Sequence, residues 1–99
     1  MIYRVVYTDA ARIDLREIAA YFRNAAGDVV AEATASKITY KIETLEVRPA
    51  RQRLRKELGS GLRAVPVGNY LIFYRVEAGT VSIVRILHGS RNISEKLFS

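Results

Sequence analysis

The side chains best suited to chemistry lie around the end of one β-rich run near the C-terminus. His88 is the only histidine, and Arg85 and Arg91 lie on either side of it. Histidine moves a proton near neutral pH, and arginine binds phosphoryl oxygens through paired hydrogen bonds. With Arg63 and Glu57, this set would suit RNA cleavage by internal attack of the 2′-hydroxyl. The competing interpretation is that His88 only hydrogen-bonds the chain where the strand ends, and both interpretations remain open.

Other kinds of site are disfavoured by the residue types. The chain has no cysteine, which excludes disulfides and thiolate chemistry. A lone histidine without carboxylates at ligand spacing does not predict a metal site. The run Gly59-Ser60-Gly61 is followed by Leu-Arg, so it lacks the pattern of a phosphate-binding loop. No serine triad motif is present. We therefore expect no metal and no cofactor.

Length and charge limit the kind of protein. Ninety-nine residues predict a single domain spanning residues 1–99. The formal net charge of +6 favours an anionic partner such as nucleic acid, an acidic protein or an anionic surface, although it also serves solubility. No apolar run approaches the ~18 residues of a membrane span. The N-terminus lacks the pattern of a secretory signal. We expect a cytoplasmic protein.

Two amphipathic helices are predicted after a first strand at Ile2–Tyr7. The first begins after the capping residue Thr8 and ends at Gly27. The second follows Asp28, its N-cap candidate, and ends near Arg48, because proline disfavours helix in the residue before it. The apolar positions at helical spacing are Ala11, Leu15, Ile18 and Phe22, then Ala31, Ala35, Ile38, Ile42 and Leu45. Most charged residues of the first helix, Asp14 among them, are expected off its apolar stripe.

The second half of the chain predicts three strands. They cover Leu62–Val67, Tyr70–Val76 and Val81–Leu87, and the last two flank a short glycine-containing turn typical of a hairpin. Pro66 indicates an edge strand or a bulge. Both faces of the last strand carry apolar residues, which is typical of a central strand. Strict alternation places Val84 and Ile86 together on a core-facing side.

These elements define an α+β fold with the order β-α-α-β-β-β. The short link between the helices requires an antiparallel helical hairpin. The apolar stripes of both helices need a common cover, and a sheet is the only candidate. The hairpin is therefore expected to pack on a mainly antiparallel sheet that also includes the first strand.

The order of elements and several short motifs resemble the ParE toxins, a branch of the RelE/ParE superfamily from bacterial type II toxin–antitoxin systems. The resemblance spans nearly the whole chain, and its specificity comes from the order and spacing of the motifs. The matching stretches are 3–8 (YRVVYT), 11–18 (ARIDLREI), Tyr21-Phe22, the helix end from Leu45 to Pro49, 61–63 (GLR), 70–76 (YLIFYRV) and 86–91 (ILHGSR).

The resemblance implies a toxin that a cognate ParD-like antitoxin neutralises, with possible hetero-oligomers. In the ParE branch the implied target is DNA gyrase, which is inhibited by binding without chemistry. In the RelE branch it is messenger RNA on the ribosome, cut by an endoribonuclease. RelE-type nucleases usually place a further basic residue where this chain has Leu71 and Ile72, so the ParE branch is favoured. A plain basic nucleic-acid-binding module explains the charge but not the motif order.

Two sets of site residues follow from the resemblance. Arg63, Arg85, His88 and Arg91 are expected to contact the target, and the same four would form the catalytic set of a nuclease. The antitoxin is expected to lie across the helix–sheet surface. Its predicted contacts are Leu15, Ile18 and Phe22.

Overall fold

The computed structural model describes residues 2–98 and consists of two helices on one side of a four-stranded sheet. The elements in chain order are β1 (Arg4–Tyr7), α1 (Asp9–Ala26), α2 (Asp28–Glu43), β2 (Leu62–Val67), β3 (Tyr70–Glu77) and β4 (Thr80–His88). Short 3₁₀ helices lie at Thr44–Glu46, Pro49–Arg51 and Glu95–Phe98. The α+β class and the predicted order of elements are confirmed.

The sheet has the strand order β1-β4-β3-β2. The strands β2, β3 and β4 form an antiparallel meander, whereas β1 pairs in parallel with the first half of β4. The prediction that β4 is central and that the first strand joins the sheet is confirmed. The strand β2, which contains Pro66, lies at an edge, where its missing N–H costs no ladder hydrogen bond.

Thr8 before α1 and Gly27 before α2 fix the two helices of the hairpin in place. The Thr8 hydroxyl accepts a hydrogen bond from the Ala11 N–H (3.1 Å) and donates one to the Val84 carbonyl (2.8 Å). It thereby caps α1 and ties that end of the helix to β4. Gly27 alone separates α1 from α2, at φ 89°, a backbone conformation that favours glycine. The predicted N-cap, Asp28, is instead the first residue of α2.

The helix-facing side of the sheet carries the larger core. Ala11 and Ile18 from α1 and Ile38 and Ile42 from α2 pack there with residues from all three strands of the meander. The sheet residues are Val65, Ile72, Tyr74, Val81, Ile83 and Ile86. The predicted apolar stripes of both helices therefore face the sheet, which confirms the shared cover.

The opposite side of the sheet is covered by irregular chain. Phe73, Val84 and Leu87 pack against Leu58 and Leu62, with Ile93, Leu97 and Phe98 of the C-terminal segment around them. The Phe73 and Phe98 rings lie 4.7 Å apart between centroids. Both faces of the sheet are thus buried, as the apolar residues on both sides of β4 indicate.

A β-bulge in β4 overturns one prediction about its faces. Tyr74 pairs with Ile83 and Phe73 pairs with Arg85, so Val84 has no partner on β3. An extra residue on one strand reverses the alternation beyond it. Val84 therefore belongs to the core on the irregular side and Ile86 to the helix-facing core. The expectation that both share one face was wrong because it assumed unbroken alternation.

Element ends differ from the prediction in two places. The first strand begins at Arg4 rather than at Ile2. The helix α2 ends at Glu43 instead of near Arg48, since a 3₁₀ turn replaces its last residues and Val47 is extended. Arg48 then adopts a left-handed conformation at φ 52°, which avoids the right-handed helical region before Pro49.

Candidate functional site

Arg85 is held by a carboxylate of the helix that crosses the sheet. Its guanidinium donates to both oxygens of Asp14, from Nε to Oδ2 at 2.7 Å and from Nη2 to Oδ1 at 2.9 Å. The same Oδ2 accepts the backbone N–H of Ile86 at 2.9 Å. The side chains are 18% and 9% exposed, respectively. Hydrogen bonding to Asp14 raises the pKa of Arg85, so the guanidinium stays charged. Asp14 thus accepts a backbone hydrogen bond from the part of β4 that lies beyond its pairing with β1.

Asp14 is the residue that reasoning from sequence missed. It was expected off the apolar stripe of α1, yet it is 8% exposed and among the buried residues of that helix. The signal was its spacing, three residues after Ala11 and four before Ile18, which places it on the buried face. A carboxylate on such a face needs a buried partner, and Arg85 supplies it.

His88 and Arg91 line a groove between α1 and the sheet. The groove has a volume of about 190 Å³ and is also lined by Asp14, Glu17, Ile18, Tyr21, Tyr70, Ile86 and Leu87. His88 and Arg91 are both exposed. The groove brings a histidine and an arginine together with two carboxylates and two tyrosines. It is suited to binding a mixed polar and aromatic partner surface.

The His88 ring is fixed by its own turn. Its Nδ1 lies 2.7 Å from the Ser90 hydroxyl and 3.1 Å from the Ser90 N–H, which donates to it. The Tyr70 ring packs edge-on against it, with centroids 5.2 Å apart. Burial raises the pKa of Tyr70. A hydrogen bond to the chain at the strand end is the structural role that the sequence left open for His88.

Arg63 serves another part of the fold. Its guanidinium donates to the carbonyls of Ala50 (3.2 Å) and Gln52, holding the segment before β2 against the sheet. In the register of the sheet, Arg63 of β2 lies opposite Tyr74 of β3, whereas His88 of β4 lies opposite Tyr70 of β3. Tyr70 and Tyr74 are four positions apart on β3, which corresponds to about 13 Å along a strand. The structure does not bring Arg63 to His88.

Glu57 does not join the histidine either. It is exposed and forms an ion pair with Arg55 at 2.9 Å, on the segment that leads into β2. The hydrogen bond from Arg55 lowers the pKa of Glu57. A carboxylate with a lowered pKa is a poor proton donor near neutral pH. Of the five residues considered for acid–base chemistry, only His88 and Arg91 line the same groove.

The three predicted antitoxin contacts lie on α1 with unequal exposure. Leu15 and Phe22 are half-buried at the margin of the helix-facing core. Ile18 is 8% exposed and belongs to that core, although it also borders the groove beside His88. Leu15 additionally lines an open depression with Tyr7, Arg12 and Arg16.

Among residues 2–98, no group of three or more potential metal ligands lies together. Within the same range, no helix is long and apolar enough to cross a bilayer.

Solved structures share this fold. One from a chromosomal ParDE toxin–antitoxin system of P. aeruginosa superposes with a TM-score of 0.78 at 19% identity, covering 88% of this chain and 96% of that one. Another, from the RelBE2 toxin–antitoxin complex of Mycobacterium tuberculosis, gives a TM-score of 0.61 at 27% identity, covering 89% and 99%. Sequence comparison with curated proteins gives no significant match. The architecture is that of the RelE/ParE toxins.

The sequence distinguishes between the two branches. Residues 5–93 match the family model described as the ParE toxin of the type II toxin–antitoxin system parDE. The match covers both helices and all three strands of the meander. The chain belongs to the ParE toxin family, and the resemblance seen in the sequence is confirmed.

Proposed function

We propose that this ParE-type toxin inhibits DNA gyrase by binding it and thereby blocks replication. Its place in the ParE family supports this target. The observation in the site that favours binding over catalysis is the engagement of the candidate catalytic groups. Arg85 is held by Asp14, Arg63 by backbone carbonyls, and the Nδ1 of His88 by Ser90. The exposed groups left in the groove, His88 and Arg91, then act as contacts with the target.

The alternative is a ribosome-dependent endoribonuclease of the RelE type. Two observations favour it: the fold is shared with the RelBE2 complex, and His88 and Arg91 line the same groove. In that case the free Nε2 of His88 would transfer the proton and Arg91 would bind the phosphate.

A ParD-like antitoxin is the proposed partner, in a hetero-oligomer with the toxin in the cytoplasm. The two similar structures come from toxin–antitoxin systems. Leu15 and Phe22 offer the antitoxin half-buried apolar contacts, and both pack against the core that contains Ile18. The net charge of +6 suits an antitoxin segment rich in carboxylates.

The deciding experiment is induced expression in bacteria, with gyrase–DNA cleavage complexes and transcript integrity measured in the same cultures. For a gyrase inhibitor we expect growth arrest, accumulated gyrase–DNA breaks and intact transcripts. Cuts in translated messages without gyrase breaks would contradict the proposal and establish the alternative.

The matched variant is His88→Gln, which retains a hydrogen-bonding group and similar bulk. If His88 is only a contact, growth arrest should persist at expression levels within a few-fold of the parent. If His88 is the acid or base of a nuclease, cleavage should fall by about 10²–10⁴. Ser90→Ala removes only the hydroxyl beside the ring and controls for a change in the turn.

A further inference from the structure

The positive charge of the molecule is concentrated in one segment. Between Arg48 and Arg63 the sequence has six cationic side chains and a single carboxylate, Glu57, so these residues carry +5 of the net +6. Five of the six cations belong to residues 48–56, here called the basic loop. The remaining ten cations of the chain are nearly balanced by nine carboxylates. The field of the protein therefore originates mainly from this loop.

Most cations of the basic loop are free to meet a ligand. Arg48, Arg51, Arg53 and Lys56 are exposed. Among the ion pairs of residues 2–98, only that between Arg55 and Glu57 involves the loop. Within residues 2–98, the side chains of Arg48, Arg51, Arg53 and Lys56 form no ion pair.

The backbone beneath them is anchored to the sheet. The buried Tyr74 hydroxyl donates to the Pro49 carbonyl at 2.6 Å, and Arg63 donates to the Ala50 and Gln52 carbonyls. The Arg55 N–H donates to the Leu62 carbonyl at 2.6 Å. The charges are thus displayed from a held backbone, and less ordering entropy is lost when a ligand binds.

The surroundings of the loop indicate what it binds. An interface with a protein usually has an apolar centre, yet Val47 is the only exposed large hydrophobic residue of the described chain that adjoins the loop. Residues 41–69 include no aromatic side chain, so this segment itself supplies no ring on which unpaired bases would stack. Arginines in a segment without aromatic side chains and with a single exposed large hydrophobic residue beside it are suited to phosphates, which they bind bidentately.

From these features we infer that the basic loop binds the phosphate backbone of duplex DNA and does not read its base sequence. The choice of DNA rests on the proposed function, because DNA is the polyanion on which gyrase acts. The loop would then hold the toxin on the DNA beside its target. Arg51, Arg53 and Lys56 supply the contacts, with Arg48 at the margin.

The test is fluorescence anisotropy of a labelled 20-base-pair duplex of arbitrary sequence with the purified toxin, at several salt concentrations. The loop variant is Arg51→Gln/Arg53→Gln/Lys56→Gln. The matched control, Arg4→Gln/Arg16→Gln/Lys37→Gln, removes the same charge at exposed positions elsewhere. Each lost phosphate contact should reduce the slope of log K against log[salt] by about 1. The loop variant should therefore lose about 3 from the slope and ~10–10³-fold in affinity at low salt, whereas the control should change about threefold or less.

Three results with nucleic acids would overturn the inference: no DNA binding by the parent, equal losses of DNA affinity in both variants, or at least tenfold tighter binding to a duplex RNA of the same length. A parallel titration with poly-glutamate tests an acidic protein as the ligand. If the loop variant loses affinity for poly-glutamate but not for DNA, the inference is also overturned. Circular dichroism and thermal melts verify that both variants fold. The assay contains no gyrase, so its result is independent of the cellular test of the target. A loop that binds DNA in a protein that leaves gyrase unaffected would refute only the proposed function.

Discussion

Arg85 and the arginines of the basic loop show how differently one residue type is used in a small fold. Arg85 is 18% exposed and makes two hydrogen bonds to a buried carboxylate. Arg51 and Arg53 are exposed and have no ion-pair partner within residues 2–98. The first contributes to the fold, and the others contribute to the electrostatic field around it. The comparison teaches that a cation near a candidate histidine is not thereby functional, because its availability depends on what faces it.

The largest expected effect comes from removing the carboxylate that holds Arg85. Asp14→Ala removes the carboxylate that accepts from the Arg85 guanidinium and the Ile86 N–H, and it leaves the guanidinium with the Leu97 carbonyl at 3.3 Å in a largely buried site. Removing one partner of a buried pair costs about 3–5 kcal/mol. We expect that loss in the free energy of unfolding, measured with urea.

The control for this prediction is Glu32→Ala, which removes an exposed carboxylate from α2 and should change stability by ~0.5 kcal/mol or less. The double variant Asp14→Ala/Arg85→Met should recover part of the loss, because no unpaired charge remains. If Asp14→Ala lowers the free energy of unfolding no more than Glu32→Ala does, the ion pair does not stabilise the fold. Arg85 would then count among the cations available to a ligand.

The next effect concerns the anchor of the basic loop. Burial raises the pKa of Tyr74 to about 12 from an ordinary value of 10.0. The folded state therefore keeps the proton at pH values where the unfolded chain has lost it. The stabilisation is complete below pH 10 and is lost as the pH rises to 12. Two pKa units correspond to ~2–3 kcal/mol.

Tyr74→Phe isolates this contribution. It removes the hydrogen bond to Pro49 and should cost about 1 kcal/mol at neutral pH. Between pH 10 and 12 the variant should lose less stability than the parent, measured by urea unfolding at each pH. Parallel losses in both proteins would show that Tyr74 is not the group responsible. Other tyrosines, such as Tyr7, have raised pKa values too, but they are common to both proteins.

The smallest effect on stability is expected where the effect on binding is largest. The triple substitution Arg51→Gln/Arg53→Gln/Lys56→Gln removes no ion pair of residues 2–98 and should alter the free energy of unfolding by about 0.5 kcal/mol or less. A loss of several kcal/mol in a thermal or urea melt would mean that these side chains support the loop, and the contrast with Arg85 would disappear.

Local patterns in the sequence were sufficient for most of the fold. The recurrence of apolar residues marked both helices, Gly27 marked their junction, and Pro66 marked an edge strand. These features depend on neighbours within a few residues, so they can be read from spacing and residue type. The order of motifs also indicates the family.

The candidate site was predicted less completely. His88 and Arg91 do line one groove, but Arg63 lies farther along the sheet and Arg85 faces Asp14. Residues 85 and 14 are separated by most of the chain, and no local pattern links them. The bulge at Val84 is equally non-local, because it exists only through the register between two strands.

By itself, the sequence determined the family, the α+β class, the order of elements and the concentration of charge before β2. Those properties depend on composition and on periodicity along the chain. The tertiary structure alone decided which cations are free. A guanidinium has five N–H donors, and each carboxylate or carbonyl of the fold that accepts from it leaves fewer of them for a ligand. Asp14 meets Arg85, and Ala50 and Gln52 meet Arg63, only because the folded chain brings together residues that are distant in sequence.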